Sequence, residues 1–167
     1  YSDMEQTGFF ESSNALLNKF VENTVWSAKN NHADLPTDCP TRERHGWTGD
    51  AQIFFKTASY LFAYAPMAKK YLHDVYDWQE KSGRLPHIAP DGGADFYMRT
   101  MNGSVGWSDV GILIPERYAR MYADDSVARE FYDGMVSYAR FMERRCGKTM
   151  PIFAQRIRLP KDAKKYL

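Results

Sequence analysis

The chain has 167 residues, 44% of them hydrophobic and 26% charged, with 22 Lys and Arg against 21 Asp and Glu. A net charge of +1 excludes the clustered basic excess through which proteins grip nucleic-acid phosphates, and the composition lies far from the disordered regime. A chain of this size buries roughly 70% of its unfolded surface, so it needs no disulfide framework from Cys39 and Cys146. The longest apolar run, around Ile53 to Ala65, is broken by Lys56 and falls short of the ~20 residues of a membrane span. Neither a nucleic-acid nor a membrane partner is expected. No basic segment followed by an apolar core opens the chain, so no signal peptide is read in it, and the compartment stays open between cytoplasm, periplasm and secretion.

Helical periodicity dominates. Ser12 and Ser13 are predicted to cap a first helix running to about Lys29, with Leu16, Leu17, Phe20, Val21 and Val25 at three- and four-residue spacing. A polar stretch from Asn30 to Asp50, with Pro36, Pro40, Gly46 and Gly49, reads as a loop. Asp50 is the expected cap of a second helix whose apolar stripe is Ile53, Phe54, Thr57, Ala58, Leu61 and Phe62, ending before Pro66. A third spans Met67 to Lys81, with Tyr71, Leu72, Val75 and Trp78 on one face and Gly83 as its stop. From Gly83 to Gly106, two prolines and five glycines in 24 residues indicate a long ordered loop. Two further helices, Trp107 to Ala123 and Asp125 to Arg145, flank the turn at 123–126. A short extended piece fits 151–160. The reading is all-α, with five helices.

Aromatic residues reach 15%, and Trp and Tyr faces can cover the apolar faces of pyranose rings. Most of them are assigned to helix packing, Tyr118, Tyr122, Tyr132 and Tyr138 among them. The densest chemistry lies between Asp38 and Asp50, where thirteen residues hold three carboxylates, two arginines, a histidine and a tryptophan. Clustered carboxylates raise the pKa of at least one member while arginines keep others ionised, and a protonated acid beside ionised neighbours is what glycosidic cleavage uses. Density alone favours the plainer reading of a solvated loop with caps and surface ion pairs.

The order of residues says more. Asp38-Cys-Pro-Thr-Arg-Glu-Arg-His-Gly-Trp-Thr-Gly-Asp50 resembles the signature loop of the bacterial α-L-rhamnosidases, glycoside hydrolase family 78, and Gly106-Trp-Ser-Asp109 with the helix that follows is similar to a second segment of that family. The resemblance covers roughly 9–139. It implies an (α/α)6-barrel catalytic domain that removes terminal α-L-rhamnose from glycosides or polysaccharides with inversion. It implies Glu43 as general acid, and Asp38, Trp47, Asp50, Trp107 and Asp109 as pocket residues. Arg42 and Arg44 lie in the motif as substrate-binding candidates, although an arginine clamps a carboxylate as readily as it touches sugar. Inversion also requires a general base about 6.5–9.5 Å from the acid, which in the family is a Glu farther downstream than Leu167.

Length points the same way: at this helix spacing twelve helices need roughly 400 residues. The expectation is therefore that residues 1–167 form the N-terminal part of a barrel, incomplete at its C-terminus and inactive alone, with the missing part of the same barrel as its partner. Two rivals remain, a non-catalytic carbohydrate-binding or structural module and another carbohydrate-active enzyme on the same toroid. No metal and no cofactor are expected: His32, His45, His73 and His87 lack ligand spacing, Cys39 has no identifiable histidine partner, and the Asp91–Asp95 turn lacks a calcium pattern.

Overall fold

The computed structural model describes residues 2–93 and 99–146. Six helices appear among them in chain order: α1 (Ala15–Asn31), α2 (Thr48–Leu61), α3 (Ala65–Asp77), α4 (Val110–Tyr122), α5 (Ser126–Glu130) and α6 (Tyr132–Cys146). Extended pairing among the described residues is limited to two isolated bridges, Gln6 with Phe62 and Trp47 with Ile88. The all-α expectation holds for the described chain, and the proposed extended piece at 151–160 lies outside the described residues.

Several element boundaries differ from the sequence reading for identifiable reasons. Asn14, not Ser12 or Ser13, caps α1: its side chain accepts from the Leu16 and Leu17 amides at 2.9 and 3.4 Å. Ser12 is held upstream, exchanging hydrogen bonds with the Asn18 side chain. The α2 helix begins at Thr48, which puts Asp50 in its first turn rather than at its cap. Pro66 opens α3 instead of following α2 at a distance, because proline suits a first helical turn where its missing N–H is not used. The last predicted helix divides at Phe131, and Trp107 precedes α4 in a turn.

The larger deviation concerns α1. Only Val25 and Ala28 of this helix are buried, while Leu16, Leu17 and Phe20, placed on its core face by their spacing, are 80%, 49% and 67% exposed. Phe9, Phe10 and Trp26 are exposed as well. The extensive helix contacts lie elsewhere, α4 packing on α2, α3, α5 and α6.

That core is built from Phe55 and Ala58 of α2, Tyr71, Leu72 and Val75 of α3, Val110 and Ile114 of α4, and Tyr138 of α6, with Leu85 and Ala89 added by the long loop. Tyr132, expected inside, is 59% exposed. Pro115 lies within α4 and has no N–H for the Gly111 carbonyl, its i−4 partner. The Tyr76 hydroxyl, from α3, donates to that carbonyl at 2.6 Å. Gly111 also lets the phenol approach, since a Cβ there would sit 3.0 Å from the Tyr76 oxygen and 2.3 Å from Leu85. The other face of this contact is Phe131, stacked on Tyr76 at 4.5 Å and 7°.

Tyr76→Phe keeps the stack and orphans the Gly111 carbonyl, so it should cost about 1–3 kcal/mol, read as a lower urea midpoint with an unchanged m-value.

Candidate active site

The 38–50 loop closes on itself before it meets anything else. The Asp38 amide donates to the His45 carbonyl, and the His45 amide returns a bond to Asp38 Oδ1, both at 3.0 Å. Arg44 accommodates the turn at φ +53°, an uncommon geometry for a residue with a Cβ. Within this ring the Glu43 amide donates to Cys39 Sγ at 3.1 Å, so Cys39 serves the loop's shape.

Glu43 carries two side-chain partners, one on each oxygen. Trp47 Nε1 donates to Oε2 at 2.8 Å and Arg42 Nη2 to Oε1 at 2.5 Å. The two partners differ: Trp47 is half-buried at the start of α2, while the Arg42 side chain is 84% exposed. Glu43 holds the Arg42 guanidinium above its ordinary pKa, first through the hydrogen bond and then through charge. Arg44 is exposed and forms no ion pair with the described residues.

The Asp50 carboxyl has its pKa displaced upward. Burial is the larger cause, and the charges of Asp38 and Glu43 add to it against a lowering backbone hydrogen bond. Asp38 and Asp50 also line a cleft of about 310 Å³ between α1 and α2, together with Asn31, His32, Thr37 and Phe54.

The second segment is brought to the first by the long loop. Residues 87–89 run antiparallel to 46–48: the Thr48 amide and hydroxyl donate to the His87 carbonyl at 2.9 and 3.0 Å, and the Ala89 amide donates to the Gly46 carbonyl at 2.9 Å. Gly46 is required by this approach, since a Cβ would stand 2.1 Å from the Ala89 oxygen. Gly49 does the same for Trp107, whose Cδ1 and Nε1 would lie 2.9 Å from a Cβ there. The Trp107 indole is 39% exposed and stacks on the His87 imidazole, with ring centroids 5.5 Å apart.

Asp109 braces this turn. Its Oδ2 accepts from the Gly106 amide at 2.7 Å and its Oδ1 from the Tyr138 hydroxyl at 2.8 Å. Gln52 of α2 donates to the Gly106 carbonyl at 2.8 Å. Both Asp109 oxygens are thus occupied within the described chain, on the turn that presents Trp107.

Sequence reasoning gave no site role to His87, Gln52 or Tyr138, none of which lies in a motif; Tyr138 is buried, as the helix-packing assignment expects. The glycines of the signature loop were the available signal, because Gly46 and Gly49 mark where another backbone and an indole come close. Asn102 Oδ1 accepts from the His87 amide at 3.0 Å. His32 is also buried, between the Ala28 carbonyl at 2.8 Å and the Tyr64 hydroxyl at 3.2 Å.

An antiparallel strap thus brings the Trp107 indole beside the carboxylate-bearing start of α2, on a frame that is helical among the described residues. Known proteins place it more closely. Residues 5–156 match the sequence model of the bacterial alpha-L-rhamnosidase six-hairpin glycosidase domain, and the chain belongs to that family. An alpha-L-rhamnosidase of Formosa agariphila is 35% identical over 81% of this chain and 14% of its own length. One from Streptomyces avermitilis is 34% identical over 81% of this chain and 13% of its own. The structure of alpha-L-rhamnosidase from Dictyoglumus thermophilum superposes with a TM-score of 0.79 at 33% identity, covering 86% of this chain and 16% of that one. The Streptomyces avermitilis enzyme, complexed with L-rhamnose, gives 0.79 at 32% identity, over 86% of this chain and 14% of that one. The chain therefore spans about a seventh of the relatives it matches.

Two predictions follow from this geometry. Gly49→Ala should displace the Trp107 indole, seen as a changed near-UV circular dichroism spectrum with intact far-UV helicity. Burial lowers the pKa of His87 to about 4 and depresses that of His32, so as acid is added the unfolded chain takes up protons that the native one refuses. Stability should fall as the pH drops from about 6.5, the ordinary His value, toward 4, read as a lower urea midpoint at pH 5 than at pH 7.

Proposed function

We propose that this chain is the N-terminal part of a catalytic barrel that removes terminal α-L-rhamnose from glycosides with inversion, Glu43 being the general acid. The observation that carries this reading is the unequal grip on the Glu43 carboxyl. Trp47 Nε1 holds Oε2 from a fixed helix start, whereas Oε1 is held by the exposed Arg42 side chain. Release of Arg42 leaves Oε1 to carry the proton toward the glycosidic oxygen while Trp47 keeps the carboxyl oriented. That proton goes to the departing alcohol as the bond to the anomeric carbon breaks.

Asp38 and Asp50 line the cleft between α1 and α2, Asp50 near enough to Glu43 to feel its charge, and both are suited to binding sugar hydroxyls as acceptors. Asp50, with its raised pKa, can also donate when protonated. Trp107 supplies the aromatic wall, and Asp109 holds the turn that presents it. Arg44, exposed on the same loop, stays a candidate contact to the leaving group. The general base and the remainder of the toroid come from polypeptide outside residues 1–167, so hydrolysis belongs to the longer protein and sugar contact alone to this piece. The exposed Leu16, Leu17 and Phe20 of α1 support that arrangement, since they are apolar side chains that further polypeptide would cover.

In the longer protein, Glu43→Gln should abolish release of poor leaving groups from α-L-rhamnosides while largely sparing activated aryl rhamnosides, which leave without a proton. Equal loss on both, in a folded variant, would remove Glu43 from the acid role. Rhamnose binding without turnover by the longer wild-type protein would favour the binding-module reading.

A further inference from the structure

Outside the signature loop, the most unusual group in the described chain is His87. It is 2% exposed, yet neither ring nitrogen has a hydrogen-bond partner among the described residues. Buried polar atoms are ordinarily paired, and an orphaned one costs free energy that the site has to offset. The ring's place is nonetheless closely fixed. Its amide donates to Asn102 Oδ1 at 3.0 Å, and its carbonyl receives the Thr48 amide and hydroxyl. Flanking Leu85 and Ala89 are fully buried. Main-chain bonds on both sides thus hold an imidazole that has no hydrogen-bond partner among the described residues.

What the ring does touch is Trp107, at 5.5 Å between centroids and 22° between planes. The indole edge meets Gly49 on α2, and the turn behind it is tied by Gln52, Asp109 and Tyr138. The bonds to Gly106 and Asp109 fix where the turn sits, while the indole itself meets Gly49 at its edge and His87 on its face. A pyranose binds an aromatic wall through one face, so an indole that tilts loses contact with the sugar. An apolar residue at position 87 would fill the space without orphaned nitrogens, but only a flat ring backs an indole plane.

We propose that His87 is a positioning residue for the sugar pocket, a rigid flat backing that holds the Trp107 indole in the plane that receives the sugar. The proposal rests on the glycosidase reading only for what the indole receives, and the stack itself can be tested without any sugar. Uniform labelling with 5-fluorotryptophan gives the 167-residue chain four fluorine resonances, one for each of its four tryptophans, with that of Trp107 assigned by Trp107→Phe. His87→Ala should shift and broaden the Trp107 line and leave those of Trp26 and Trp78 in place. His87→Phe, which keeps a flat ring and removes the orphaned nitrogens, should restore a sharp Trp107 line.

In the longer protein, His87→Ala should raise KM for an aryl α-L-rhamnoside about five- to tenfold with kcat changed less than twofold, the size of one lost stacking contact. Combined with Trp107→Ala it should add nothing to the effect of Trp107→Ala alone, and His87→Phe should return KM to the wild-type range. An unmoved Trp107 line in His87→Ala would overturn the proposal. So would collapse of all four lines in both His87 variants, or an undiminished His87→Ala effect in the Trp107→Ala background. If the wild-type longer protein neither binds nor cleaves rhamnosides, the functional reading fails, while the fluorine lines still decide whether His87 sets the indole.

Discussion

The antiparallel contact between 46–48 and 87–89 is the constraint on which the rest of the site depends. It is short, and nearly every other feature of the site hangs from it. The Gly46 carbonyl takes both the Ala89 amide and the Tyr71 hydroxyl, the latter at 2.9 Å from inside α3. Signature loop, long loop and core helix therefore meet at one oxygen. Thr48, fully buried, satisfies both its amide and its hydroxyl on this strap while opening α2. With the start of α2 pinned, Trp47 is directed back to Glu43 and Asp50 is placed in the first turn beside the cleft.

This explains the division of labour within the signature loop. Its charged residues bond within the loop or face solvent, whereas its small residues, Gly46, Thr48 and Gly49, make the close contacts with other elements. Loops carry function when a rigid frame positions them, and here the frame is a second loop backed by α3 and α4. The Gly103 amide, bonded to the Leu85 carbonyl and to Ser108 Oγ at 2.9 Å each, ties the far end of the long loop to its beginning. A 24-residue connection would be an improbable platform if it were free, and these internal ties remove much of that freedom.

The helices were legible in the sequence where the apolar face of the periodic pattern finds its partner in this chain. Leu72 and Val75, or Val110 and Ile114, are buried as their spacing requires. Leu16, Leu17 and Phe20 have equally good spacing and lie in solvent, because periodicity reports that a face is apolar and says nothing of whether the covering surface is present. In the site, the signature loop and Trp107 were legible because their residue types carry recognisable chemistry. His87 was not, since a histidine without partners has no sequence signature, and Gln52 and Tyr138 act through single hydrogen bonds between distant elements. The role of Asp109 was readable only as membership of a segment, and its two bonds, to Gly106 and Tyr138, could be seen only once the turn was folded.

The substitution of a phenol for a missing amide in α4 carries a consequence for how the family can vary. Helices with an internal proline generally kink to relieve the ring and leave a carbonyl to water. In this chain the carbonyl of Gly111 is claimed by the hydroxyl of Tyr76 instead, so residues 76, 111 and 115 form one unit although they lie on two helices. A lineage that replaces Pro115 with an ordinary residue recovers the amide and frees position 76 from carrying a hydroxyl. One that keeps the proline remains bound to the tyrosine and to a small residue at 111. Inheritance of these three positions should therefore be joint, an evolutionary linkage across the α3–α4 contact produced by a single unmade backbone bond.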